Sequence, residues 1–80
     1  MEIRYSKAAI KVINAMDRPA KRRMYDAIHK IPDGDIKTLQ GSKGSFRLRV
    51  GNWRVLFSWV EKDIIYIEKI GPRGGIYKGV

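Results

Sequence analysis

Residues 45–57 read SFRLRVGNWRVLF, and this stretch decides the fold. Apolar side chains alternate with arginines on both sides of Gly51-Asn52, which is the period of a strand with one buried face. Glycine at the first turn position supplies the positive φ of a type II′ turn, so Gly51-Asn52 predicts a two-residue hairpin. We therefore expect two antiparallel strands here, the second running from Trp53 to Val60.

The predicted turn also decides which side chains share a face of the hairpin. A two-residue turn places Arg49 directly opposite Arg54, and directly opposite residues share a face. Arg47 joins these two because side chains alternate along a strand. The other face is apolar and comprises Phe46, Leu48, Val50, Trp53, Val55 and Phe57. The sequence thus predicts three guanidinium groups on one side of the sheet and a core-facing surface on the other.

The flanking sequence predicts one α+β domain over residues 1–80. A short alternating stretch at residues 2–5 predicts a first strand. Apolar residues at helical spacing predict one helix at residues 7–16, capped by Ser6, and another that starts around Pro19 and ends near Lys30. Residues 33–44 are expected to form a loop, and residues 63–70 a further antiparallel strand. Two helices packed on one face of an antiparallel sheet leave its other face free.

Composition narrows the classes of protein to consider. Seventeen Lys and Arg against eight Asp and Glu give a net charge of +9, which attracts a polyanion, nucleic acid first and an acidic protein second. Cysteine is absent and His29 is the sole histidine, so we expect neither a disulfide nor a metal nor a cofactor. The N-terminus lacks the apolar core of a signal peptide, and no stretch approaches the roughly 20 apolar residues that span a bilayer. We therefore expect a cytoplasmic protein with no membrane contact.

The basic residues are concentrated in one window. No acidic residue occurs from Ile36 to Val60, whereas this window holds Lys37, Lys43, Arg47, Arg49 and Arg54. Like charges directly opposite on a sheet are destabilising, so an absent anion is the simplest explanation for arginines that have no carboxylate nearby. Arginine suits phosphate because its planar fork offers paired donors and its charge does not titrate away. Solubility, or protection of strand edges, is the alternative reason for basic residues on a surface strand.

Two further segments carry candidate binding residues. Arg22 and Arg23 belong to the basic run of the second predicted helix, which is either a solvated face or a contact with RNA or the ribosome. Arg73 precedes two glycines, which let the backbone approach a ligand closely. Tyr77 either stacks on an unpaired base or packs on the edge of the sheet.

Three stretches together resemble a known family: LQGSKGSFRLRVGNWRVLF at residues 39–57, IYI at residues 65–67 and GPRGGIY at residues 71–77. They are similar to the RelE/ParE superfamily of type II toxin-antitoxin toxins, specifically over residues 39–78 and only in architecture over residues 1–38. The resemblance implies a β-α-α-β-β-β fold. In the RelE branch it implies an mRNA interferase, a metal-independent endoribonuclease that cleaves messenger RNA in the ribosomal A site and so inhibits translation. It also implies a cognate antitoxin as protein partner, and contacts with 16S ribosomal RNA.

The resemblance also implies roles for individual residues. The family's basic positions fall on Arg47, Arg49 and Arg54, and its C-terminal arginine and tyrosine on Arg73 and Tyr77. In the implied mechanism the ribose 2′-OH attacks the neighbouring phosphate while Arg49 and Arg54 stabilise the developing charge. Arg73 would lie near the leaving 5′ oxygen, and Tyr77 would hold the nucleotide in line for attack. Further RNA contacts are expected from Lys37, Lys43, Lys78, Arg22 and Arg23.

One departure from the family concerns the proton acceptor. Better-known members carry lysines where this chain has Arg47 and Arg49, and an arginine, with a pKa above about 12, is a poor proton acceptor. Histidine titrates near neutral pH, but His29 lies outside the matching stretch. Glu68 is a weaker candidate, so the acceptor is open at this point.

Two other functions are compatible with the same fold and charge. The ParE branch inhibits DNA gyrase by binding and needs no nuclease centre, and the fold does not decide between the branches because one scaffold hosts several functions. The second alternative is a non-catalytic module that binds RNA or the ribosome. Arg73 and Tyr77, at the positions that the RNA-cleaving branch uses, favour cleavage.

Overall fold

A computed structural model describes residues 1–38 and 44–72 of the chain. In chain order they form β1 (Glu2–Tyr5), α1 (Lys7–Asn14), α2 (Arg18–His29), β2 (Asp35–Thr38), β3 (Ser45–Val50), β4 (Trp53–Glu61) and β5 (Ile64–Pro72). The predicted site residues Lys43, Arg73, Tyr77 and Lys78 lie outside the described residues. No helix within these two ranges is long and apolar enough to cross a membrane.

The five strands form one mixed sheet in the order β1-β5-β4-β3-β2. The pairs β2–β3, β3–β4 and β4–β5 are antiparallel, whereas β1 is parallel to β5. The predicted α+β class and the order of helices before the hairpin are confirmed. The expectation of a wholly antiparallel sheet is wrong at β1. Parallel neighbours require a crossover connection, and the chain between β1 and β5 includes both helices.

Both helices begin at the residues that cap them. The Ser6 hydroxyl accepts a hydrogen bond from the Ala9 amide at 3.0 Å and donates one to the Glu68 carbonyl at 2.7 Å, which ties the start of α1 to β5. Asp17 caps α2 by accepting from the Ala20 amide at 2.8 Å, and Pro19 lies in the first turn, where its missing N–H costs nothing. The helices end at Asn14 and His29, a little earlier than their predicted ends.

The core lies between the helices and one face of the sheet. The helices contribute Ala9, Ile13, Met24 and Ile28, and β5 contributes Ile65, Ile67 and Ile70, all of them buried. The predicted apolar face of the hairpin is confirmed, because its six residues all belong to this core or pack against it. The opposite face of the sheet is covered by neither helix.

The strand β2 corrects the prediction of a loop at residues 33–44. Asp35 to Thr38 pair with Arg49 to Phe46 of β3, and Ile36 packs against the core. A strand of four residues carries only a short pattern of its own, and pairing with its neighbour is what stabilises it. β2 forms the outer edge of the sheet beside β3.

Candidate functional site

The hairpin between β3 and β4 gathers the three predicted arginines. Arg49 lies directly opposite Arg54, and Arg47 lies opposite Leu56. Gly51 at the turn has φ +59, the positive value that the sequence predicted. Arg47, Arg49 and Arg54 therefore share the sheet face that is opposite the helices, which we call the arginine face.

Arg47 is held close to the sheet. Its side chain is only 18% exposed, and its Nε is buried with no hydrogen-bond partner among the described residues. Leu56, its cross-strand neighbour, is also buried although it faces away from the helices. A buried N–H of a cation is costly when no acceptor reaches it, so the Nε–H of Arg47 is available to donate a hydrogen bond to a bound anion.

Arg49 and Arg54 differ from Arg47 in their exposure and contacts. Arg54 is half-buried, and its Nη1 donates to the Trp53 carbonyl at 3.3 Å. Arg49 is exposed. Neither guanidinium has a carboxylate within 4.0 Å in the part of the chain that the structure describes. Two cations directly opposite each other without a carboxylate partner make a surface that favours an anionic ligand.

Asp35 corrects the premise that no carboxylate lies near the arginines. It is directly opposite Arg49 on β2, and its Oδ1 is 3.9 Å from Nη2 of Arg47. Sequence reasoning missed it because the acid-free window begins one residue later and β2 was expected to be a loop. The alternation of Asp35-Ile36-Lys37-Thr38 was the available signal. The ion pair is long and Asp35 is half-exposed, so this carboxylate offsets part of the positive charge and leaves the arginines accessible.

The other predicted residues are distributed over both sides of the sheet. Lys37 lies opposite Arg47 on β2 and adds a cation to the arginine face. Arg22 and Arg23 are exposed on α2, on the helix side. Among residues 1–38 and 44–72, no group of three or more His, Asp or Glu side chains could hold a metal ion.

The two candidate proton acceptors are not equivalent. His29 is at the end of α2, its Nδ1 is 2.7 Å from the Tyr25 carbonyl, and its ring lies near the Tyr25 ring. His29 is therefore on the helix side of the sheet, and the sheet lies between His29 and the arginines. Glu68 is half-buried on β5 at a shift in register, because Leu56 pairs with Lys69 and Phe57 with Ile67.

Comparison with known proteins gives matches among solved structures. No family model and no curated protein matches the chain. The RelB-RelE antitoxin-toxin complex from Methanococcus jannaschii matches at 23% identity over 94% of this chain and 95% of that chain, with a TM-score of 0.74. The archaeal RelE-RelB complex from Pyrococcus horikoshii OT3 matches at 27% identity over 92% and 96%, with a TM-score of 0.72. The isolated E. coli RelE toxin matches at 13% identity over 96% and 90%, with a TM-score of 0.74.

The chain has the RelE fold. The predicted resemblance to the RelE/ParE superfamily is confirmed by these matches, which cover more than nine-tenths of the chain. The RelE fold of this chain presents a sheet face on which cations from adjacent strands converge. Such a face can bind a phosphodiester through paired guanidinium hydrogen bonds and can stabilise added negative charge on it.

Proposed function

We propose that this chain is the toxin of a type II toxin-antitoxin system and acts as a ribosome-dependent endoribonuclease that cuts messenger RNA in the A site. The observation that carries the proposal is the position of Arg49 directly opposite Arg54 on a sheet face that neither helix covers. The similarity in fold to RelE toxins supports it. A net charge of +9 supports an RNA substrate, because phosphate contacts dominate affinity for nucleic acids.

The proposed reaction is an internal transfer at one phosphate. The 2′ oxygen forms a bond to phosphorus, the bond from phosphorus to the 5′ oxygen breaks, and the products are a 2′,3′-cyclic phosphate and a 5′-hydroxyl. The 2′ proton passes to an acceptor and the 5′ oxygen gains a proton. Arg49 and Arg54 stabilise the charge on the phosphoryl oxygens. Such electrostatic stabilisation by preorganised donors is usually the largest single contribution to the rate enhancement. Arg73 is proposed near the 5′ oxygen, and Tyr77 against the base.

The proton acceptor is not one of the three arginines, because a guanidinium does not deprotonate in proteins. His29 is a poor candidate, because it is outside the stretch that resembles the family and also lies on the helix side of the sheet. With few titratable groups beside the phosphate, catalysis relies on positioning, and a ribosome-bound substrate is already held in one geometry. This accounts for the proposed dependence on the ribosome.

A cognate antitoxin is the proposed protein partner. The relatives from M. jannaschii and P. horikoshii are complexes of RelE with RelB. The surplus of positive charge in this chain suits a partner with acidic segments. We propose the cytoplasm as the site of action, where the ribosome is.

Primer extension on a message in a translating extract tests the function. Adding the purified chain should produce cuts within the codon in the A site, and Arg54→Ala protein should cut about 100-fold more slowly. Arg18→Ala is the matched control, because Arg18 is an exposed arginine on α2 and lies away from the arginine face. If the wild-type chain leaves the message intact, the proposal is wrong.

Two further assays separate the alternatives. Inhibition of DNA supercoiling by gyrase in the presence of the purified chain, without RNA cleavage, would assign it to the ParE type of activity. Binding to ribosomes without cuts would indicate a non-catalytic module, and its affinity would then fall by similar factors for every basic residue removed.

A further inference from the structure

A groove lies at the corner of the sheet where β2 begins, between α2 and β3. Its volume is about 540 Å³, within the range of sites that bind small ligands. Leu48 and Ala27 contribute apolar surface to its lining, and Arg22, Arg23, Lys30 and Arg49 contribute cations. We call it the corner groove.

The local backbone explains why this corner is open. β2 starts at Asp35, opposite Arg49, so β3 extends past the end of its neighbour. Gly34 has φ +124, and a Cβ there would be 3.3 Å from Cδ1 of Leu48, so glycine lets the chain turn closely against β3. Across the groove, Nη1 of Arg23 is 3.9 Å from the position that a Cβ on Gly51 would take, so this guanidinium reaches the hairpin turn.

The charges that line the corner groove are mixed but not paired with one another. Asp26, Asp33 and Asp35 line it together with the four cations. Among residues 1–38 and 44–72, none of those four cations has a carboxylate within 4.0 Å. Residues of both signs of charge therefore line the space between the walls.

The mixture of charges selects one kind of ligand. A nucleotide offers a phosphate to the guanidiniums and also ribose hydroxyls and base N–H groups, which donate to the carboxylates of Asp26 and Asp33. The side chains of an acidic peptide are further carboxylates, which the aspartates that line the groove repel. The apolar lining from Leu48 and Ala27 provides a surface against which a base can pack.

We propose that the corner groove binds one nucleotide of the single-stranded message, next to the segment held on the arginine face. Arg49 connects the two surfaces, because it lines the corner groove and also stands opposite Arg54. This rests on the proposed function. It gives Arg22 and Arg23 a defined role, namely a phosphate contact at the neighbouring nucleotide.

The test measures binding of RNA to the free chain. Ribosome-dependent cleavage does not interfere, because ribosomes are absent from this assay. Two single-stranded probes are compared by fluorescence anisotropy, a trinucleotide and an octanucleotide. The double variant Arg22→Gln with Arg23→Gln should bind the octanucleotide about tenfold more weakly, the loss expected for charge-assisted hydrogen bonds. Its binding of the trinucleotide should stay within about twofold of wild type, because the arginine face alone accommodates a trinucleotide.

Salt dependence gives a second readout. Each phosphate contact to single-stranded nucleic acid contributes about 0.7 to the slope of log affinity against log salt. With the octanucleotide, the double variant should show a slope smaller by the contribution of about one phosphate contact. With the trinucleotide, its slope should equal that of wild type. The matched control is Lys11→Gln with Arg18→Gln, which removes two exposed helix cations outside the corner groove. It should change the affinity for either probe by no more than about twofold.

Several outcomes overturn the inference. Equal losses for the double variant and its control would show a general effect of charge. A loss seen with 30S ribosomal subunits and absent with the free octanucleotide would assign the groove to ribosomal RNA and not to the message. Binding of a polyglutamate peptide that the double variant abolishes, with RNA binding unchanged, would assign it to an acidic protein.

Failure of the inference is distinguishable from failure of the proposed function. If wild type cuts messages in the extract but the double variant binds the octanucleotide normally, only the corner groove is wrong. If wild type cuts nothing while the double variant still loses affinity for the octanucleotide, the nuclease proposal is wrong and the RNA site remains. Thermal unfolding of each variant confirms that it is folded.

Discussion

Asp35 lies directly opposite Arg49 at the edge of the sheet, and its carboxylate approaches the guanidinium of Arg47 to 3.9 Å. This single acid stands beside three arginines and Lys37 on one face. An exposed ion pair of that length contributes little to stability, about 0 to 1 kcal/mol. Its main consequence is electrostatic, because a carboxylate beside the arginines repels a phosphate that approaches them.

Removing this charge should strengthen RNA binding. Asp35→Asn is expected to raise the affinity for single-stranded RNA about two- to fivefold at low salt, since a like charge beside the phosphate is lost. The gain should fade as salt rises. Asp17→Asn is the control, because it makes the same change in net charge away from the arginine face and keeps a residue that caps α2. Weaker binding by Asp35→Asn would mean that Asp35 orients Arg47 instead of competing with RNA.

Removing Arg54 should separate catalysis from binding. Arg54→Ala is expected to lower the cleavage rate in a translating extract about 100-fold, the loss typical for one preorganised donor. Ribosome binding should fall only a few-fold, because the remaining cations stay in place. The fold should persist, since the one hydrogen bond of this side chain within residues 1–38 and 44–72 is the 3.3 Å contact with its neighbour's carbonyl. A small loss, equal to that of Arg18→Ala, would contradict the catalytic role.

Ionisation of Tyr5 should make the fold less stable as the pH rises in the alkaline range. Burial, together with the nearby Tyr25, raises the pKa of Tyr5 to about 12 from its ordinary value of 10.0. Between those two values the unfolded chain releases a proton that the folded chain retains, so the free energy of unfolding falls as pH rises. The contribution is complete below pH 10 and is lost as pH passes about 12.

Tyr5→Phe tests this dependence. The hydroxyl of Tyr5 is buried without a hydrogen-bond partner among the described residues, so removing it should leave stability at pH 7 unchanged or raise it by up to about 1 kcal/mol. Urea unfolding from pH 8 to pH 12 should show a shallower decline for Tyr5→Phe than for wild type above pH 10. Parallel curves over that range would show that Tyr5 ionises alike in both states.

Gly34 should tolerate substitution less well than Gly51. Its φ of +124 lies in a region that non-glycine residues avoid, and a Cβ would meet Leu48 at 3.3 Å. Gly34→Ala is expected to cost about 2 to 3 kcal/mol of unfolding free energy. Gly51→Ala, at φ +59 with its nearest contact at 3.9 Å, should cost about 1 to 2 kcal/mol. Denaturant midpoints compare the two variants, and an equal loss would mean that the contact with Leu48 relaxes.

Local interactions made much of the fold predictable from sequence. Ser6 and Pro19 predicted where the helices start, because the residues that begin a helix act over three or four positions. Gly51-Asn52 predicted the pairing of β3 with β4, since the length of a hairpin turn determines its register. That register alone placed Arg49 opposite Arg54. The central part of the candidate site therefore follows from thirteen consecutive residues, 45–57.

Only the tertiary structure decided the rest. The parallel pairing of β1 with β5 and the addition of β2 at the edge join segments that are distant or weakly patterned in the sequence. Those pairings bring Asp35 beside the arginines and set Arg49 at the edge of the corner groove. A turn or a cap is stabilised by neighbours along the chain, whereas an edge strand is stabilised by its partner and by the core beneath it. For that reason the sequence determined which arginines stand together, and the packing of the whole chain decided what else stands with them.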